Sequence, residues 1–210
     1  MMTDDFVLFG KHVRLEPLEP RHVDGLVAAA TADPDPALYL WSPVPRDKHE
    51  AIKYVETALD WKNAGTAVPF ATVRIKDDTV IGSPRFWNIE RWAWPQGHSL
   101  HGRSGADVCE IGYTWLAPSA VRTAANTEAK LLMLTHAFEQ WRVLRVSLHT
   151  DARNLRSRAA IERIGGQFEG VLRAHRMAAD FTPRDSYRYS IIAPEWPAVK
   201  VRLLEYRERA

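Results

Sequence analysis

The sequence is poor in cysteine. Cys109 is the only one in 210 residues, so no disulfide forms within the chain, and a reducing compartment is the natural expectation. Charge of one sign is also scarce. Lys and Arg number 28 against 26 Asp and Glu, a net of +2, and no run of five basic residues occurs. A nucleic-acid partner is therefore not expected. The densest basic stretch, Arg153 to Arg163, contains Glu162 and apolar positions and reads as one face of a helix. No apolar run approaches the roughly 20 residues of a membrane span. Met1 to Phe9 holds two acids and no apolar core, unlike a secretory leader. The expectation is a cytoplasmic protein without a membrane partner. Walker, G-x-S-x-G and dinucleotide signatures are missing. His98 and His101 sit close together, but their loop offers no third ligand, so no metal is expected.

What is present is globular: 46% hydrophobic and 26% charged residues. No repeat or linker divides the chain, and residues 1–210 read as one domain. Trp is plentiful, with eight in all. Trp41, Trp61, Trp87, Trp92 and Trp94 fall in the first half, where they serve either core and interface or a pocket wall.

Periodicity and punctuation give the elements. His12 to Leu18 alternates as a strand. Arg21 to Thr31 is a short helix closed by the Asp33-Pro34-Asp35-Pro36 breaker. Asp47 to Ala64 is a second helix, with a stripe of Ile52, Val55, Leu59 and Lys62, stopped by Gly65. Strands Val68 to Ile75 and Val80 to Ile89 flank a turn at Lys76 to Thr79. A loop follows over Trp92 to Ala106, then a strand from Val108 to Leu116. Asn126 to Trp141 is the clearest helix. Leu144 to Thr150 is a strand, and Asn154 to Ile164 a helix stopped by Gly165-Gly166. Strands Phe168 to Met177 and Ser186 to Ile192 pair across a turn, and a last helix runs from Glu195 to Arg209. The order β-α-α-β-β-β-α-β-α-β-β-α predicts an α/β (α+β) fold with a mixed sheet. Its central β-α-β-α portion requires a right-handed parallel crossover.

Two strand-to-helix entries stand out. In EIGYTWLAPSAVRTAANTE a strand ends at Leu116 and a helix begins near Thr123 to Asn126. A helix start offers unpaired N–H groups and partial positive charge, and Arg122 adds a formal charge there. Thr123, Ala124 and Ala125 are small enough for an anion to approach. This suits a pyrophosphate, and equally it is an ordinary capped helix. In the run Thr150 to Gly166 a second helix starts at Asn154, again just past a strand. Two such starts on one sheet point to the carboxyl ends of neighbouring parallel strands, where open α/β sheets bind ligands.

The segments VRLEPLEPRHVDGL, EIGYTWL, NTEAKLLMLTHAFE, RVSLHTDARNLRSRAAIERIGGQFEGVLRAHR and DSYRYSIIAPEWPAVK resemble the GNAT superfamily of acyl-CoA N-acyltransferases. Within it they resemble the RimJ/RimL-like, ribosomal-protein alanine N-acetyltransferase branch. The resemblance implies a mostly antiparallel central sheet with helices on both faces and a splayed parallel strand pair. It implies acetyl-CoA as co-substrate and an amine acceptor, either a protein N-terminus or a small amine. Such folds often pair as homodimers.

Residue by residue, the resemblance implies that the backbone of Tyr113, Thr114, Trp115 and Leu116 runs alongside the pantetheine arm. The N–H groups from Arg122 through Asn126 to Thr127 would hold the pyrophosphate. Asn154 would bond the pantetheine or thioester region, Ser157 would lie near the thiol, and Arg158 would reach CoA phosphates. Three positions depart from the family pattern. Val121 stands where the phosphate loop usually carries Gln or Arg, with Arg122 restoring the charge one position later. Ala124 replaces the central glycine of the phosphate loop, where a methyl resists positive φ. Ile161 stands where many relatives carry the tyrosine that protonates the leaving thiolate. The last two departures motivate an alternative, a non-catalytic acyl-CoA-binding or regulatory protein of the same fold.

For the chemistry, a neutral amine attacks the thioester carbonyl and a base takes its proton. Glu110 is the first candidate base, as a partly buried carboxylate expected to have a raised pKa. His149, on the neighbouring strand, and Tyr113 are further candidates. Ser157, a water, or no general acid at all would then serve. The N–H near Trp115 would stabilise the oxyanion. Trp41, Trp87, Trp92 and Trp94 would shape the acceptor groove, with residues 93 to 107 as lid or dimer contact.

Overall fold

The computed structural model describes residues 6–32 and 36–209. A two-residue strand, β1 (Leu8–Phe9), precedes β2 (Val13–Pro17), whose alternation puts Val13 and Leu15 fully in the core. Helix α1 (Val23–Thr31) follows a 3-10 turn at Pro20–His22. The breaker at Asp33-Pro34-Asp35 lies outside the described residues, and a further 3-10 turn spans Pro36–Tyr39. Helix α2 (Lys48–Asn63) is capped by Asp47, whose carboxylate accepts the Glu50 N–H at 2.8 Å, while Glu50 accepts the Arg46 N–H. Gly65, at φ 71°, ends it. The buried stripe of α2 is Ala51, Val55 and Ala58, and Ile52 is exposed. The expected stripe was one position out because small alanines, not the larger Ile52, allow close approach to the sheet.

Strands β3 (Ala67–Arg74) and β4 (Thr79–Glu90) form a hairpin, and β5 (Val108–Leu116) follows a long loop. Helix α3 (Ala124–Thr135) passes into a π turn at His136–Gln140, so the single helix read to Trp141 is in fact two helical forms. Strand β6 (Arg145–Asp151), helix α4 (Leu155–Arg163), strands β7 (Gln167–Met177) and β8 (Pro183–Ile192), and helix α5 (Trp196–Arg209) complete the chain.

The sheet order is β1-β2-β3-β4-β5-β6-β8-β7. Every neighbouring pair is antiparallel except β5 with β6. The sheet is therefore mixed, as the element order implied, and mostly antiparallel, as the resemblance implied. One face carries α2, whose Tyr54 and Trp61 lie against Arg85 of β4. On the other face Phe86 of β4 packs on Trp141, 4.6 Å between ring centres, just beyond α3.

Glu128 of α3 pins that helix to the sheet. It is fully buried and accepts the backbone N–H groups of Lys11, His12 and Val13 at 2.8, 2.6 and 2.8 Å. Gly10 is required beside it, because a β-carbon there would come within 2.4 Å of the Glu128 carboxyl carbon. Among the described residues no helix is long and apolar enough to cross a membrane.

Candidate functional site

The site begins where two strands part. β5 pairs with β6 only through Val108, Cys109 and Glu110, opposite Arg145, Val146 and Ser147. Beyond Glu110, β5 stays bonded to β4 alone. Between the pairs Arg85–Gly112 and Ser83–Trp115, β5 spends one residue more than β4. That is a bulge, and Tyr113 within it has φ 53°. The bulge turns β5 away from β6, so Thr114 and Leu116 have no partner strand on that side, while Trp115 stays in register with Ser83 of β4. The Tyr39 hydroxyl donates to the Leu116 carbonyl at 3.0 Å.

Both helix starts lie at this opening, because α3 and α4 leave the carboxyl ends of the two parallel strands. The far end of α4 reaches the first turn of α3: Arg163, the last residue of α4, donates to the Thr127 hydroxyl at 3.0 Å. At α3, Thr123 Oγ1 accepts the Ala125 N–H at 3.2 Å and donates to the Ala120 carbonyl. Capping occupies one first-turn donor; helix geometry leaves the others turned outward. Arg122 is exposed at φ 62°, while Ala124 opens the helix proper. The concern over positive φ at Ala124 is thereby corrected: the left-handed residue is Arg122. Ala124 and Ala125 are buried and Asn126 half-buried.

At α4, Asn154 Oδ1 accepts the Ser157 N–H at 3.0 Å, which commits that oxygen to capping. Arg158 folds back onto the sheet, its guanidinium 4.0 Å above the Tyr187 ring and donating to the Ala152 carbonyl. Ile161 is buried against Gly166, so that position faces the core.

The α2 face of the opening holds Glu110 and His149. His149 Nδ1 lies 2.9 Å from Glu110 Oε2, with both side chains nearly buried. The contact is not aligned as a hydrogen bond, and Nε2 has no partner. Burial pushes the Glu110 carboxyl up, but His149, the Trp87 indole and Arg176 together hold it below its ordinary value. The expected raised pKa is thus corrected: desolvation is the largest single effect, but His149, Trp87 and Arg176 together outweigh it. Burial raises the Tyr113 phenol, partly offset by Arg85 and Arg176. The His175 ring lies 5.5 Å from that of His149, and burial lowers its pKa.

Trp87 joins this wall, 5.3 Å from Tyr113 and 6.1 Å from Trp61. Trp41 instead lies under the Arg153 guanidinium at 4.0 Å. Trp92 and Trp94 pack on each other in the loop after β4, and both bond Asp107. His98 stacks on Trp94, and His101 Nδ1 lies 2.8 Å from the Trp94 carbonyl. Among the described residues no group of three His, Cys, Asp or Glu is placed to hold a metal.

Two residues here escaped the sequence reading. Arg85 is buried within the aromatic wall, yet a single arginine in a strand carries no signal of burial. Lys130 is buried as well, and its Nζ donates to Thr114 Oγ1 at 2.5 Å. A single lysine on a helix likewise carries no signal of burial.

Known proteins share the sequence pattern and the fold. Residues 12–167 match the model of the acetyltransferase (GNAT) domain. A GCN5-related N-acetyltransferase from Brucella melitensis is 26% identical, with TM-score 0.83 over 97% of this chain and 86% of its own. A protein assigned as an acetyltransferase from T. thermophilus is 32% identical, with TM-score 0.77 over 98% and 99%. Mycobacterium smegmatis RimJ, solved with CoA-disulfide, shares the fold at 22% identity and TM-score 0.75, over 92% and 88%. A search of curated proteins gives no match.

Proposed function

Because the chain belongs to the GNAT acetyltransferase family and so transfers acyl groups from acyl-CoA, we propose that it moves acetyl from acetyl-CoA to a primary amine by direct attack. The observation that supports this reading is the opening between β5 and β6, flanked by the starts of α3 and α4. A long carrier with amide groups at one end and phosphates at the other fits it. The edge of β5 from Thr114 to Leu116, which has no strand beside it, would run alongside the carrier, with the Tyr39 hydroxyl already on the Leu116 carbonyl. The first turn of α3, from Arg122 to Thr127, receives the pyrophosphate. Asn154 retains its amide NH₂ for the carrier, and Ser157 stands nearest the thiol as its proton source.

The amine arrives protonated and must lose its proton before it attacks. We assign that proton to His149 Nε2. The Glu110 carboxylate beside Nδ1 favours the tautomer that carries its proton there, which leaves the unpartnered Nε2 its lone pair. Glu110, held as a carboxylate, is the weaker base and the better orienting partner. The Trp115 N–H receives the developing oxyanion. Holding two reactants in register supplies much of the acceleration. Tyr113, Trp61 and Trp87 wall the acceptor side. Resemblance to the ribosomal-protein alanine N-acetyltransferases puts a protein N-terminus first among acceptors.

The test is mass spectrometry on an acceptor panel of ribosomal-protein N-terminal peptides, amino acids, polyamines and aminoglycosides, with thiol release followed in parallel. Acetylation coupled to CoA release is expected. Acetyl-CoA bound by calorimetry with no amine modified would leave only a binding protein.

A further inference from the structure

Arg85 has no role in the transfer derived above. It is 1% exposed, and its Nε and Nη2 have no hydrogen-bond partner. Buried guanidinium donors are ordinarily satisfied, so two open ones call for an explanation. Around them stand rings: Tyr113 at 4.3 Å, Tyr54 at 4.8 Å and Trp61 at 5.2 Å from the guanidinium carbon. Ring faces balance the charge. They do not take up in-plane N–H groups. Nε and Nη2 lie along one edge of the planar group, the fork that accepts both oxygens of a carboxylate.

The surroundings favour an anion too. Arg176 sits 4.2 Å above Trp87, which meets Tyr113 edge-on at 5.3 Å. Arg176 stands directly opposite Arg184 on the neighbouring strand, a like-charge pair that is unfavourable by itself. Arg184 Nε also lacks a partner. The carboxylates nearby are engaged, Glu110 with His149 and Asp151 with Arg153. All of this adjoins Tyr113, where β5 turns away from β6.

We propose that Arg85 binds a carboxylate carried by the acyl acceptor, so that the acceptor is an amine bearing a carboxylate. This rests on the transferase reading given above. The three covering rings are themselves only half-buried, and the acceptor reaches the fork by shifting one of them. The carboxylate belongs either to a free amino acid or to an acidic side chain next to a peptide N-terminus.

Two matched pairs separate these sources: an amino acid against its amide, and a peptide amide with Asp at its second position against the same peptide with Asn. In one pair the acid is expected to be acetylated with roughly 10²-fold higher kcat/KM, mainly through KM. Arg85→Met should abolish that preference while acetyl-CoA binding by calorimetry persists. Arg85→Lys, charged but without the fork, should restore only a small part. Equal rates for acid and amide in both pairs overturn the carboxylate site and leave the transferase standing. If nothing is acetylated, the transferase reading fails by itself. Tryptophan fluorescence with CoA bound then decides the site: quenching by the acid and not its amide, lost in Arg85→Met, upholds it, and no difference overturns it. The wild-type titration alone decides it should the variants not fold.

Discussion

Lys130 meets a hydroxyl, Thr114, where a buried cation would ordinarily meet a carboxylate. Burial lowers its pKa from 10.5 to about 7. The folded value lies below the unfolded one, so between these limits the unfolded chain holds the extra proton. Stability therefore falls as pH drops from about 10 toward 7, and below 7 the full cost of the buried charge remains. Lys130→Met should raise stability by a few kcal/mol, on the order of 2–4, at pH 6 and by little near pH 10. Thermal unfolding at the two pH values checks this, and an equal gain at both would refute it.

Glu110 and His149 make a second residue-scale case. Both were legible as candidates, because they lie on the parallel neighbours β5 and β6 close to where the pairing ends, with Glu110 in register with Ser147, two residues before His149. Their division of labour was not legible, since it turns on a 2.9 Å contact. With its pKa held below 4.5, Glu110 remains ionised throughout the neutral range. His149→Ala should lower kcat by about 10²-fold with little change in the acetyl-CoA KM. Glu110→Gln should cost less, since orientation and not the lone pair is lost. Steady-state kinetics of both variants decide the order; a larger loss for Glu110→Gln returns the base to the carboxylate. Arg85 lay beyond sequence reading. Its cage comes from positions 54, 61 and 113, on one helix and a distant strand, and no local pattern announces their meeting.

Elements were easier to read than their contacts. Alternation and breakers located most strands to within a residue or two, β5 among them. The π turn after α3 was missed, because apolar spacing through Phe138 and Trp141 continues almost unchanged when a helix widens. Ala124 illustrates the same limit, since which residue of a loop goes left-handed depends on how the chain enters the helix. The tie between α3 and β2 was also hidden, as Glu128 in sequence is one more helix carboxylate. It answers three backbone N–H groups from residues over a hundred positions away. Glu128→Ala should cost roughly 2–4 kcal/mol by stranding those donors. In a chain of this size that is a fall in Tm of about 5–15 °C, to be read by calorimetry. An unchanged Tm would show that water replaces the carboxylate.

For the molecule as a whole, the order of the sheet matters more than any helix. Strands β1 to β5 form one antiparallel body and β6 to β8 another, with three residue pairs between them along β5 and β6. Anything that bonds both sides of the opening adds to their union. Saturating acetyl-CoA, at about a hundred times its Kd, should add about 2.7 kcal/mol of stability and raise Tm by about 5–10 °C. A thermal-shift titration tests this, and a flat response would mean that the carrier does not bind the folded chain.

That short parallel seam has one more consequence. Where the carrier bridges the opening as proposed, each turnover fits and removes a keystone, and between turnovers the sheet is joined along that seam by three residue pairs alone.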